Sequence, residues 1–238
     1  MECYRRSPYV IYQKSRSWIY LVLSREAKQE KPLRVVTFNR DHSCIHTYNR
    51  YAQGFLQGGL KTLSMFPTDQ IFLARLLADR DGFFMHACGI DFCGKGLLFA
   101  GHSGAGKSTI ATLLKGKAKI LCDDRIIVRK AGTFPQRQKT SFRIYGTWSH
   151  GTVSEISPIT APLKAILFLR KKKKNRVIPI LDRREKIKHL LTYLVRPFVN
   201  ADWWRKSLAV IDEIVDRVPC YTLEFNKTDD LAPLLKDL

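Results

Sequence analysis

The sequence predicts an α/β fold, mixed β-sheets flanked by helices, with a small β-rich region ahead of it. Three observations lead there. The run Gly-His-Ser-Gly-Ala-Gly-Lys-Ser-Thr at 101–109 lies between an apolar, strand-like stretch at 97–100 and a helical pattern at 110–115. Strand and helix patterns alternate from residue 68 to the end, whereas residues 1–66 carry short alternating strands. The chain has 238 residues, 45% of them hydrophobic, enough to bury a substantial core and too many for a disordered segment.

In residues 1–66 the strand-like runs are 9–12, 18–23 and 33–38, separated by polar stretches such as 24–32. No chemistry is legible in this accessory region; His42 and His46 read as surface residues. The second region, 67–238, opens with Thr68 as a helix N-cap. Ile71, Leu73, Ala74, Leu76 and Leu77 then mark an amphipathic helix that ends near Gly82. Residues 83–90 read as a strand carrying His86, and Gly94 and Gly96 frame a turn into the next strand.

The 101–109 run fits a phosphate loop: a Gly, four residues, then Gly-Lys-Ser. Gly101, Ser103, Gly104, Ala105 and Gly106 would let backbone N–H groups close around phosphate oxygens at a helix N-terminus, with Thr109 at the end of the cradle. Lys107 would hold the β- and γ-phosphates, and Ser108 would place its hydroxyl on a magnesium ion. The bland alternative is a glycine-rich turn.

After the loop helix, the apolar strand at 119–122 ends in Asp123 and Asp124. Adjacent carboxylates at a strand end repel each other unless a cation lies beside them. One is expected to reach Mg²⁺ directly or through water, and the other to orient or deprotonate a nucleophile. A solvated turn is the alternative.

Residues 126–130 and 141–145 read as a hairpin, and the loop at 145–151, rich in glycine and hydroxyls, reads as a substrate contact or a plain turn. Strands at 163–169 and 176–181 flank the cationic run from Arg170 to Lys174. That run is expected to be a hairpin tip, either solvated or docking an acidic partner. Helices at 183–195 and 203–218, a strand at 220–225 and a short helix from Asp229 complete the chain.

Lys and Arg number 41 against 21 Asp and Glu, a formal charge of +20. Such a field attracts nucleotides, nucleic acid, acidic peptides or a membrane surface, and fixes only the sign of the partner. Between residues 164 and 206 there are 14 basic and 3 acidic side chains, so the basic face is expected in this half. No apolar stretch is long enough for a membrane span, and 18–23 is too short for a signal-peptide core. Six scattered cysteines suit reduced thiols, so the expected compartment is the cytoplasm. His86, Cys88 and Cys93 lack the second ligand pair that a zinc site would need.

His86, Asp91, Gly94, Gly96, the loop through Ser108 and the run Asp123-Asp124-Arg125 resemble the C-terminal catalytic domain of HPr kinase/phosphorylase. The closer likeness is to the smaller HPr-kinase-like proteins of bacteria, some of them serine kinases encoded with peptide-maturation genes. The resemblance covers 67–130 closely and the rest more loosely, through 145–151, 162–169 and 219–225; the first 60 residues lie outside it. It implies a phosphoenolpyruvate-carboxykinase-like fold, ATP and Mg²⁺ at the loop, and phosphoryl transfer to a serine hydroxyl. Asp123 would be the catalytic carboxylate, Asp124 and Ser108 would bind Mg²⁺, and His86 would stand beside the transferred phosphate. Thr109 replaces the family's usual acidic residue and the downstream Arg-Gly segment is not recognisable, so the acceptor expected is not HPr and phosphorolysis is in question.

The sequence therefore leads to an ATP- and Mg²⁺-dependent kinase acting on a hydroxyl of a protein, peptide or amino acid, assembled as a homo-oligomer. The competing reading is an ATP-binding regulator using its basic half on nucleic acid. It has no helix-turn-helix, RNA-recognition or zinc module behind it. A small-molecule nucleotide kinase would need a lid or acceptor motif that is not recognisable here.

Overall fold

The computed structural model describes residues 1–15, 17–24, 31–40, 43–50, 53–56, 68–131, 141–196 and 200–238. His42, most of the 24–32 segment and the side chain of Thr68 lie outside what is described. The chain divides into two compact units, Met1–Asp79 and Arg80–Leu238.

The first unit is an antiparallel meander, β1 (Glu2–Arg6), β2 (Tyr9–Lys14), β3 (Ser17–Leu23), β4 (Pro32–Asn39) and β5 (Ile45–Asn49), paired in that order. The alternation in β3 and β4 places Trp18, Tyr20, Leu23, Val36 and Phe38 in the interior. After the short α1 (Gln53–Leu56), helix α2 (Thr68–Ala78) packs within this unit. Phe72 meets Phe38 with ring centroids 6.1 Å apart, and the Arg75 guanidinium lies 5.7 Å from the Trp18 ring centre. His46 is exposed, its Nε2 3.3 Å from Cys44 Sγ.

The second unit is built on β6 (Gly82–Phe92). Every residue of this strand is buried except His86 and Asp91, so both of its faces are covered. It pairs on one side with β7 (Lys95–Ala100). On the other it pairs successively with β9 (Arg125–Lys130) and β8 (Lys119–Cys122). Asp123 and Asp124 occupy the break between β8 and β9, where the Ala87 N–H donates to the Asp124 carbonyl at 3.0 Å. Strand β10 (Phe142–Tyr145) forms the expected hairpin with β9 and also pairs with β11 (Thr160–Lys171), which is parallel to β7.

The basic run is not a hairpin tip. Strand β13 (Cys220–Phe225) inserts between β11 and β12 (Arg176–Pro179), parallel to the first and antiparallel to the second. The run therefore crosses the end of β13. The Lys172 N–H donates to the Phe225 carbonyl, and Asn226 clamps it by donating to the Lys173 carbonyl and the Asn175 side chain. An apolar strand, a short cationic link and a second apolar strand look the same in sequence whether the two pair directly or around a third.

Helix α3 (Lys107–Leu113) follows β7, and Ile110, Ala111 and Leu114 join Phe99, Leu167, Phe225 and Leu235 in one buried cluster, the last from α6 (Ala232–Leu235). Helix α4 (Arg183–Tyr193) starts at Asp182, whose carboxylate accepts from the Arg184 N–H at 3.0 Å. Helix α5 (Ala201–Arg217) is capped by Asn200 and buries Trp203, Ser207, Val210, Ile211, Ile214 and Val215 at helical spacing. Among the described residues no helix is long and apolar enough to cross a membrane.

Candidate functional site

A cleft of about 350 Å³ opens where the end of β7, the break between β8 and β9, and the end of β11 meet. Its walls carry His86, Ser103, Gly104, Gly106, Lys107, Ser108, Thr109, Asp123 and Asp124. Of the residues expected at a phosphate cradle, Gly101 and Ala105 do not line it. Both shape the loop instead, Gly101 by offering its carbonyl to Lys107 and Ala105 by donating its N–H to the His102 carbonyl.

The loop has the strand-to-helix setting that the sequence predicts, leaving β7 at Ala100 and entering α3 at Lys107. Its sharp curl depends on glycine at one position above all. Gly106 has φ of +109°, and a Cβ there would lie 2.5 Å from Phe225 Cζ, so both backbone conformation and space exclude a side chain.

Lys107 is only 7% exposed. Its ammonium donates to the Gly101 carbonyl at 3.0 Å and the His102 carbonyl at 3.1 Å, which uses two of its three N–H groups. Burial lowers its pKa from the ordinary lysine value, against the opposing pull of Asp124 and Asp123.

The two carboxylates are adjacent in sequence and held by separate sets of partners. Asp123 is 1% exposed. Its carboxylate accepts from the Ser108 hydroxyl at 2.6 Å, from the Gly151 N–H at 2.5 Å and from the Val153 N–H at 3.1 Å. Gly151 permits this approach, because a Cβ on it would stand 3.0 Å from Asp123 Oδ2. Asp124 instead faces His86 Nε2 at 3.1 Å, Arg125 at 2.7 Å and the Ser149 hydroxyl at 3.1 Å.

Burial would raise the Asp124 pKa, but the His86 hydrogen bond, the Arg125 charge and the Ser149 hydroxyl outweigh it and hold the carboxyl below its ordinary 3.8. A carboxyl lowered in the fold contributes stability above the unfolded value and loses it as pH falls through the folded one. The unfolding midpoint should therefore drop on acidification below pH 3.8. In Asp124→Asn the drop should be shallower, because the contribution is gone at every pH; thermal melts from pH 5 to 2 would show the difference, and identical slopes would contradict it.

Four contributors were not singled out by sequence reasoning. The 145–151 loop, legible only as a turn or a substrate contact, supplies Ser149 and Gly151, and Val153 follows it. Two of these bonds come from backbone N–H groups, which no side chain announces. Lys171, the second residue of the basic run, is exposed on the cleft wall. In sequence it is indistinguishable from its cationic neighbours. Among the described residues no group of three or more His, Cys, Asp and Glu side chains is placed to hold a metal.

No curated protein matches the chain. A family model does match, that of the SynChlorMet cassette protein ScmC, over residues 59–229. This family is unrelated to HPr kinase, so the match overturns the resemblance to HPr kinase/phosphorylase. The structure explains why those residues misled. Asp91 and Gly94 make a local turn in which the Asp91 carboxylate accepts the Gly94 N–H at 2.8 Å. Gly96 is required by packing, since a Cβ there would lie 2.7 Å from the Pro162 carbonyl. Both are turn and packing chemistry that unrelated chains share. Spanning most of the second unit and reaching back to residue 59, the ScmC match settles the family: the chain belongs to the SynChlorMet cassette protein ScmC family.

Proposed function

We propose that the cleft is the donor site of an ATP- and Mg²⁺-dependent kinase that phosphorylates a hydroxyl, such as that of a serine side chain in a peptide, protein or free amino acid. The observation that carries this reading is the convergence of Lys107, the Ser108–Asp123 pair and the His86–Asp124 pair on one cleft.

The 101–106 loop would curl around the phosphates, with the third N–H of Lys107 on the β- and γ-oxygens and the Lys171 cation on the same cleft. The donors fit magnesium. Ser108 Oγ and Asp123 Oδ2 lie 2.6 Å apart and are hard oxygen ligands; Mg²⁺ ordinarily keeps waters and substrate phosphates for its other positions, so few protein ligands suffice. When bound, the ion would neutralise charge on the phosphate oxygens.

Asp124 would serve the acceptor side. Its carboxylate is ionised at neutral pH and fixed by three donors, so it holds His86 in one orientation. As the acceptor oxygen bonds to the γ-phosphorus and the bond to the β-phosphate oxygen breaks, the hydroxyl proton passes to this pair. Positioning and electrostatics supply most of what a protein can add to phosphoryl transfer. The six free cysteines and the need for ATP suit a cytoplasmic setting.

The test is incubation of purified protein with γ-labelled ATP, Mg²⁺ and cell extract, followed by mass spectrometry of labelled products. Label on a serine or other hydroxyl is expected; absence of any transfer above the buffer control would overturn the reading.

A further inference from the structure

A second and larger cleft, about 640 Å³, runs beside the first and is unassigned by the kinase reading. Helix α4 forms its wall with Arg184, Ile187, Lys188 and Leu191, which recur at helical spacing on one face, and His102 and Arg196 also line it. Ile187 and Leu191 are half-buried, whereas Arg184, Lys188 and Arg196 are exposed. Among the described residues no acidic side chain lines the cleft.

The cations of this helix fall into two groups. Arg183 bridges Asp212 and Asp216 of α5, and Lys186 donates to the Val215 carbonyl at 3.3 Å. Arg184, Lys188 and Arg196 form no ion pair among the described residues. The fold thus engages the cations that face α5 and leaves three positive charges without an ion pair, among the described residues, around an aliphatic strip. The complementary ligand is acidic and carries an aliphatic group.

Its dimensions favour a chain segment. An 11-residue helix is about 16 Å long, which matches roughly five residues of extended polypeptide. Nucleic acid would want free aromatic faces for stacking. The rings here are already engaged: Phe168 stacks with His189 at 4.6 Å and with Tyr193 at 5.9 Å, and Tyr193 meets His102 edge-on at 4.9 Å.

The two clefts share a boundary. His102 lines the α4 cleft and Ser103, the next residue, lines the phosphate cleft; consecutive Cα atoms are about 3.8 Å apart. His102 also accepts from the Lys107 ammonium through its carbonyl. A peptide lying along α4 therefore ends within reach of the loop.

We propose that the α4 cleft docks an acidic segment of the acceptor polypeptide, its carboxylates on Arg184, Lys188 and Arg196 and an aliphatic side chain against Ile187 and Leu191. Identifying the docked chain as the acceptor rests on the kinase reading; the docking itself does not. Because the cations are exposed, the attraction is long-ranged and weakens as salt shortens the screening length below about 10 Å.

The experiment is selection of a random dodecapeptide library on the full chain, followed by binding of selected fluorescent peptides at low and high salt. Expected are sequences with Asp or Glu flanking Leu or Ile, a Kd raised at least tenfold in Arg184→Glu/Lys188→Glu, and no such change in Arg205→Glu, a charge reversal on α5. Neutral or basic selected sequences, no selection at all, or affinities within threefold of wild type in the double variant would overturn the proposal. So would a twelve-nucleotide single strand that binds more tightly than every selected peptide and is lost in the same variant. Peptide binding without phosphate transfer would leave docking standing and remove the kinase reading. Transfer without peptide selection would remove docking alone.

Discussion

Replacing Lys107 with alanine is expected to lower phosphoryl transfer by about two to three orders of magnitude, the cost typical of deleting one preorganised charge-stabilising donor. The size of the effect follows from the burial of the ammonium. At 7% exposure it works with little solvent screening, and the two carbonyls that hold it fix its direction before any ligand arrives. The same substitution leaves the Gly101 carbonyl without the Lys107 donor, while the His102 carbonyl keeps the Ala105 N–H, so a stability loss of about 1–3 kcal/mol should accompany it. The two losses separate in experiment, because circular dichroism at assay temperature reports folding while labelled transfer reports chemistry. Transfer within tenfold of wild type in a folded Lys107→Ala protein would contradict the assignment.

Asp123→Asn is expected to be the second severe change, and to act on stability and activity together. The Asp123 carboxylate meets three donors while almost wholly buried. An amide turns one acceptor oxygen into an N–H₂ group that must confront the Gly151 or the Val153 N–H. Losing a charge-assisted bond and burying a mismatched donor should cost roughly 3 kcal/mol. Activity should fall by about two orders of magnitude or more, in line with the loss of a positioned charged group. Ser108→Ala supplies the companion test, since it removes the 2.6 Å contact without introducing a buried donor. It should fold with near-normal stability and show a weakened dependence of activity on Mg²⁺ concentration. An unchanged Mg²⁺ dependence would remove Ser108 and Asp123 from the metal-facing role.

The parts of the molecule that were legible in the sequence are those whose signal is local. The 101–109 glycine pattern, the apolar run before it and the two carboxylates after β8 each announce themselves within a dozen residues, and the structure brings them to one cleft. The strand at 220–225 is likewise bounded by its own residues. What escaped depends on partners far along the chain. The insertion of β13 between β11 and β12 is decided by pairings such as Leu169 with Leu223 and Val177 with Leu223, which no adjacent residues encode. The seating of Asp123 on Gly151 and Val153 is a backbone matter with the same long reach. Family membership failed for a different reason. Asp91, Gly94 and Gly96 have turn and packing roles that any chain with this local geometry would need, so they carried no family information.

The structure also divides what the sequence presents as a single pair of acids. Asp123 is tied to Ser108 and the loop after Thr147, whereas Asp124 is tied to His86, Arg125 and Ser149.

The kinase reading depends on this cleft holding nucleotide phosphates. Calorimetric titration of Mg²⁺-ATP into the wild-type chain and into Lys107→Ala tests it most directly. The account predicts one site on the wild type, with an affinity in the ordinary enzyme range of about 1 µM to 1 mM, weakened at least tenfold in the variant. Equal affinity for both proteins, or no binding to the wild type at ATP concentrations above about 1 mM, would contradict it.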